Sequence, residues 1–458
     1  MKQWIILLLV ISLALTACAP AAEPTEPSTE PTRPATPPVT EPAQAEEITA
    51  SGKAKLVITG MEWGPVISKV ILELDCMIDS DSVNRNTFAV QVPGENYHGI
   101  SAAEDENTPL IFSKRLSIQT VYTCDEYGEP AGDSNYIALE LSFDPRTPAP
   151  TIARQTGRGS TFCDYYDLLV QLTEDAALVT TDGAPVTALR LPARLDMTDT
   201  YFPQLKNVSL DGVFTGTDGI TLTYGAYTPV SDGDKHPLVI WLHGGGEGGT
   251  DVRSVIYGNE VTALFGKAFQ STMGGAYVLM PQSPTMWMQR AEDGVGSVYR
   301  ETLMELIRDY VNQNPGIDTD RIYVGGCSNG GFMTMDLILH YPDYFAAAYP
   351  ICGAYSSDNI TDDQVKSITH VPMWFIHAEN DPVVDKDGFL DVAYRLRNAG
   401  AEIHISLFED VHDTSGRYND VNGGPYQYIG HWSWIWFFNN ECEDGDLNMW
   451  QWLAQQSK

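Results

Sequence analysis

The sequence predicts two folded domains in series, an all-β sandwich followed by an α/β domain with a mostly parallel sheet flanked by helices. Three observations predict this. Strand-length apolar runs separated by Gly, Asp, Asn and Pro fill the stretch from Lys53 to about Leu195. From near Asp199 onward, strand-like and helix-like runs alternate. Within that second stretch, Gly326-Cys327-Ser328-Asn329-Gly330 stands between an apolar run and a helical pattern, which reads as a strand, a sharp turn and a helix.

The chain begins with a positive Met1-Lys2 and an apolar run over residues 4–15, too short for a comfortable membrane span, so residues 1–18 read as a signal peptide. Leu15-Thr16-Ala17-Cys18 resembles a bacterial lipoprotein signal, which implies that Cys18 is lipidated after cleavage. A simple secretory signal with an incidental cysteine is the alternative. The following stretch, 19–50, is dense in Pro, Thr, Glu and Ala and poor in large apolar residues, so it cannot bury enough surface to fold. It is expected to act as an extended acidic tether. Lipid and tether together predict an extracytoplasmic protein, anchored to the bacterial cell membrane at Cys18 and reaching away from it.

The first domain spans 51–198. Residues 55–59, 69–74, 88–92, 118–122, 136–141 and 167–172 are its strand-length runs, and their spacing suggests a sandwich. It shows no grouping of catalytic residue types and reads as a spacer or packing domain.

The second domain spans 199–458. Residues 211–215 and 220–227 look like an antiparallel pair leading into 237–242, which is apolar throughout, as expected of a strand buried on both faces. Strands are then predicted at 276–280, 321–324, 345–350, 372–377 and 402–407, with helices at 298–313, 332–340 and 391–399. In open sheets of this type the active site lies at the carboxyl ends of the strands. Each catalytic candidate follows such an end.

The Ser328 turn is tight enough that its flanking positions need glycine, here Gly326 and Gly330. A serine is a poor nucleophile until a base takes its proton, so the chemistry needs a histidine in reach and a carboxylate to orient it. Asp381, in the loop after 372–377, can supply the carboxylate, with Glu379 as its rival. His431 and His412 are the candidate bases, while His404 lies inside a strand and reads as packed or solvated. Negative charge on the substrate oxygen needs backbone donors. Asn329 offers one N–H; Gly245, with Gly246 as near alternative, offers another from the loop after 238–242. His243 is expected to fix that loop. Gly244-x-Gly246-x-x-Gly249 also has the letters of a dinucleotide fingerprint, but such spacing alone is weak beside the downstream serine turn.

Leu242-His243-Gly244-Gly245-Gly246-Glu247, the Ser328 pentapeptide, the segment His377-Ala378-Glu379-Asn380-Asp381-Pro382 and Gly430-His431-Trp432-Ser433-Trp434 together resemble the α/β-hydrolase superfamily. More narrowly, they are similar to secreted esterases whose hydrolase domain follows an immunoglobulin-like domain. The resemblance implies that Ser328, Asp381 and His431 are nucleophile, orienting acid and general base, favouring Asp381 over Glu379 and His431 over His412. It implies an oxyanion hole from Gly245 and Asn329, and hydrolysis of carboxylic esters through an acyl-serine.

Composition narrows the partners. A formal charge of −34 with no Lys/Arg cluster argues against nucleic acid and against direct binding to an anionic membrane, so membrane contact is expected only through the lipid at Cys18. The other six cysteines, Cys76, Cys124, Cys163, Cys327, Cys352 and Cys442, have no metal-ligand spacing, and the sequence assigns no pairing. Cys327 reads as a small packing residue. The acidic run 358–363 reads as a solvated turn rather than a calcium loop. The chemistry requires no metal and no cofactor. Trp287, Trp432, Trp434 and Trp436 could wall a sugar or phenolic group or belong to the core. The expected substrate is a small-molecule or polysaccharide-linked ester; a serine peptidase and a glycan binder with a dormant hydrolase domain are the alternatives.

Overall fold

A computed structural model of the chain describes residues 46–93, 112–146, 153–156, 159–290 and 296–458. The signal peptide, Cys18 and the tether up to residue 45 lie outside the described residues.

Backbone pairing sorts the N-terminal strands into two main sheets. Val186–Arg190, Ile48–Met61, Gly64–Ile78, Ser134–Leu141 and Ile118–Cys124 form a five-stranded sheet in that order, and Leu169–Leu172, Phe88–Pro93 and Phe112–Leu116 form a three-stranded one. Alternate residues of each strand turn inward: Leu56, Ile58, Val70, Leu72 and Leu139 share one apolar core with Phe88, Val90 and Val170. The first strand starts at Ile48, earlier than the expected boundary at 51. Residues 48–51 pair in parallel with Val186–Arg190, and Ala50 is fully buried, so the end of the presumed tether has a sheet edge to join.

The second domain holds an eight-stranded sheet in the order Val208–Thr215, Thr221–Tyr227, Tyr277–Gln282, His236–Leu242, Ile317–Cys327, Ala347–Ile351, Met373–Ala378, Ile403–Phe408. The first two strands are antiparallel additions at one edge and the rest run parallel. Helices Arg300–Gln313, Asn329–His340 and Lys386–Asn398 occupy the predicted crossovers. His236–Leu242 is buried along its whole length, and its side chains divide between two cores: Val239 and Trp241 on one face, Leu238, Ile240 and Leu242 on the other. The face bearing Trp241 is continuous with the sandwich core. Phe162, Phe202 and Tyr257 bridge the two, with ring centroids 5.5 to 6.2 Å apart.

The six cysteines of the described residues, from Cys76 to Cys442, are free thiols. The acidic run serves helix starts: Ser356 accepts the Asp358 N–H, and Thr361 forms a capping box with Gln364 ahead of Asp362–Ser367.

Asp167 is fully buried and is held by a forked pair of bonds from Arg194, at 2.8 and 3.1 Å. Arg194→Met removes this fork from a carboxylate withdrawn from water. Urea denaturation is expected to show a loss of about 2 to 3 kcal/mol, at or below the low end for a broken buried pair because Arg194 retains partial exposure.

Candidate active site

The strand Ile317–Cys327 ends where the helix Asn329–His340 begins, with Ser328 alone between them at φ 53° and ψ −108°. A non-glycine residue in that region is strained and must be held by its surroundings. The hold is close approach to the neighbouring strand: a Cβ added at Gly326 or Gly330 would lie 2.1 or 1.9 Å from the Leu242 carbonyl oxygen. The Ser328 carbonyl accepts the N–H groups of Phe332 and Ala354, at 3.0 and 3.1 Å. The helix thus starts three residues earlier than the apolar pattern suggests, since the turn leaves no room for a linker.

Asp381 follows the strand Met373–Ala378 by three residues and is fully buried at its side chain. Its Oδ1 accepts the N–H groups of Val383 and Val384 at 2.7 and 3.1 Å, and its Oδ2 accepts His431 Nδ1–H at 2.7 Å. Burial alone would raise this carboxyl; the His431 bond and the two N–H groups outweigh it and hold it below the usual value. With Nδ1 committed as donor, Nε2 of His431 is the ring nitrogen left to accept a proton. His431 reaches Asp381 because Gly430 has no side chain: a Cβ there would lie 2.0 Å from Asn380 Oδ1.

Cys352 ties this pair to the serine turn. It follows the strand between those of Ser328 and Asp381, at φ 36°, fully buried. The Ser328 N–H, which bonds Ile351 O at 2.8 Å, also points toward the Cys352 sulfur, and burial pushes that thiol well up. Cys352 Sγ, an Asp381 carboxylate oxygen and a His431 ring nitrogen lie within 4.8 Å of one another. This is the one such grouping with metal-ligand character among the described residues. Sequence reasoning gave Cys352 no role in the site, although its position just past a strand end and the resemblance of Pro350-Ile351-Cys352-Gly353 to esterase segments are signals.

The oxyanion candidates converge as well. A Cβ added at Gly245 would come within 4.0 Å of Asn329 Cβ. Asn329 opens its helix, so its N–H has no intrahelical acceptor. His243, fully buried and pushed down to about 4 by that burial, is neutral. Its Nε2 accepts the Ser283 N–H at 3.1 Å and its Nδ1–H donates to Gly244 O at 2.6 Å, which fixes the glycine loop as expected. Glu247, half-buried in this loop, had no role in the sequence reading. Its Oε2 has no hydrogen-bond partner, and burial raises the carboxyl to about 7.

The remaining candidates lie apart from this cluster. His412 Nδ1 bonds Asp410 at 2.6 Å and its ring meets Trp436 edge-on. His404 bonds Asp444 and stacks on Trp374. Glu379 is exposed. Cys327 is fully buried, as expected of a packing residue. Trp287 is fully buried against His243, and Trp436 stacks on Phe408, so both belong to the core. Trp434 meets the His431 ring edge-on at 5.7 Å. Val383 and Ile429, each two residues from Asp381 or His431, are exposed apolar side chains.

Comparison with known proteins agrees with this architecture. Residues 53–187 match the esterase Ig-like N-terminal domain, and residues 228–418 match the phospholipase/carboxylesterase family. A solved structure described as a thermostable esterase has the same fold, with a TM-score of 0.69 at 23% identity over 88% of this chain and 99% of that one. Among curated proteins, poly(3-hydroxyalkanoate) depolymerase C of Paucimonas lemoignei is 28% identical over 30% of this chain and 33% of its own length. Acylamino-acid-releasing enzyme 2 of Oryza sativa subsp. japonica is 24% identical over 47% of this chain and 32% of its own. The chain spans 32% to 48% of the length of the curated relatives it matches.

Glu247 gives this loop a pH signature. A carboxyl raised from 4.5 to about 7 holds its proton more tightly in the folded chain than in the unfolded one, so stability is lost as pH rises between those values. Glu247→Gln cannot ionise. Its stability relative to wild type is expected to improve by about 3 kcal/mol between pH 4.5 and roughly pH 8, measured by denaturant unfolding at both ends.

Proposed function

We propose, for a chain that belongs to the α/β-hydrolase superfamily and carries an esterase Ig-like domain ahead of a phospholipase/carboxylesterase domain, that it is a serine carboxylic-ester hydrolase working through an acyl-Ser328 intermediate. The Ser328 hydroxyl attacks the acyl carbon and passes its proton to His431 Nε2. Charge on the carbonyl oxygen is met by the N–H groups of Asn329 and Gly245, each worth about 3 kcal/mol of barrier. His431 then gives the proton to the departing alcohol, takes one from the incoming water, and returns it to Ser328 as the carboxylic acid leaves. Asp381 keeps the imidazole in the Nε2-accepting tautomer and stabilises it while charged.

The observation that carries this reading is the 2.7 Å bond from His431 to a fully buried Asp381, beside a serine held at positive φ. The exposed apolar side chains of Val383 and Ile429 suit an ester with an apolar acyl or aryl part. With the lipoprotein-like Leu15-Thr16-Ala17-Cys18 and the acidic segment behind it, the enzyme would act outside the cytoplasm while tethered by lipid at Cys18, on small esters or acyl groups esterified to carbohydrate. A peptidase reading draws on the partial likeness to the acylamino-acid-releasing enzyme.

The test is a screen of acetylated, feruloylated and simple aryl esters, with a peptide amide series alongside. Wild type should turn over short-chain aryl esters far faster than amides. Ser328→Ala should lose at least about 10⁴-fold in kcat, and Asp381→Asn about 10⁴-fold with the fold intact. Amide cleavage at rates comparable to esters would select the peptidase reading, and polysaccharide binding unchanged in Ser328→Ala without any turnover would select the binder.

A further inference from the structure

Glu62 and Trp63 form the turn between Ile48–Met61 and Gly64–Ile78, the two longest strands of the N-terminal domain. That turn meets the catalytic domain at one segment. Glu62 Oε2 accepts the Tyr428 hydroxyl, and Glu62 Oε1 accepts Asn439 Nδ2–H at 2.7 Å. Trp63 meets the Tyr418 ring edge-on, with centroids 4.9 Å apart.

Tyr428 and Asn439 bracket the stretch of chain that holds His431. Tyr428 stands three residues before it, with its N–H on Val411 O at 2.8 Å and its ring 6.1 Å from that of Trp432. Asn439 ends the helix Trp434–Phe438, which leaves the histidine turn directly. Between them the Trp432 N–H closes the short turn on Ile429 O at 2.8 Å. Segment 428–439 is therefore compact, and one carboxylate from the other domain bonds to both its ends.

Burial first, and Glu62 next, push Glu260 up to about 8, and burial raises Glu441. Two hydrogen bonds accepted by one carboxyl group on a long antiparallel hairpin fix position more firmly than apolar contact alone, because they are directional.

We propose that Glu62 is a positioning residue for the reaction, setting His431 over the serine turn by holding both ends of segment 428–439. The proposal rests on the reading of His431 as general base, and it gives the N-terminal domain a part in turnover.

The test uses the full chain with Glu62→Ala, Glu62→Gln, Tyr428→Phe and the Glu62→Ala/Tyr428→Phe double variant. Steady-state kinetics on a short-chain aryl ester are normalised to sites labelled by an aryl phosphonate, and melting curves establish that each protein is folded at the assay temperature. Glu62→Ala should lose roughly 10- to 100-fold in kcat per labelled site, with KM changed less than about threefold. Tyr428→Phe should fall in the same direction, and the double variant should lose less than the product of the two single losses. Glu62→Gln should recover most of the rate, because its amide oxygen can accept from Asn439 while its NH₂ donates to the Tyr428 hydroxyl oxygen. Folded Glu62→Ala with wild-type kcat per site overturns the proposal, as does a deficit explained wholly by fewer labelled sites. Should Glu62→Ala fail to fold, Tyr428→Phe decides by the same criterion. Wild type that turns over no ester overturns both this inference and the function it rests on, whereas wild-type turnover with unimpaired Glu62→Ala overturns only this one.

Discussion

The close approach of the Ser328 turn to the Leu242 carbonyl is the constraint on which the site depends. Both glycines of the turn face that one oxygen at distances no Cβ could occupy. The contact works in two directions. It presses the serine into its left-handed backbone state, and it fixes the end of His236–Leu242, from which the Gly244–Gly246 loop departs. Ser328 and the Gly244–Gly246 loop are thus registered against each other by backbone packing in the centre of a sheet, where nothing can relax without disturbing two hydrophobic cores. Strain at position 328 persists because its neighbours over-determine it.

Electrostatics then separates the buried carboxyls by role. Asp381 and Glu247 are both withdrawn from water, yet they move in opposite directions. Asp381 has an imidazole and two backbone N–H groups converging on it, enough to keep an anion in place. Glu247 has an oxygen without a partner and rises toward neutrality. Charge is held at Asp381 and disfavoured at Glu247. Cys352 follows the same logic, since its thiol, pushed far up by burial, brings no negative charge next to Asp381.

Much of this was legible in the sequence because the signals were local. A run apolar at every position, as in 237–242, can only be a strand covered on both faces, and the Gly-x-Ser-x-Gly letters between a strand and a helix specify a turn by steric need. Asp381 and His431 were legible by their order and by the resemblance of their surroundings, and the two are hydrogen-bonded. What stayed hidden depends on partners distant in the chain. The strand Val186–Arg190 has mostly exposed side chains and forms because residues 48–51 offer it an edge. The short helices Arg253–Gly258 and Lys267–Met273 are too brief for a period to show. Glu247 and Cys352 stand in legible segments, yet their character comes from burial, which one chain of letters does not display.

The long stretch between Asp410 and Gly430 separates the two candidate histidines, and it has an ordered form in the structure. Residues 411–413 and 426–428 run as an antiparallel ribbon, with Asp413 N–H on Tyr426 O and Tyr428 N–H on Val411 O, each at 2.8 Å. The outer part of this ribbon carries Tyr418, which receives Trp63. Its returning limb carries Tyr428, which receives Glu62. A loop of this length left in water would cost conformational entropy and would let the histidine beyond it wander. Folded back as a ribbon and docked on the sandwich, it delivers His431 from a rigid base. The all-β domain is then a part of the scaffold that segment 428–439 closes against.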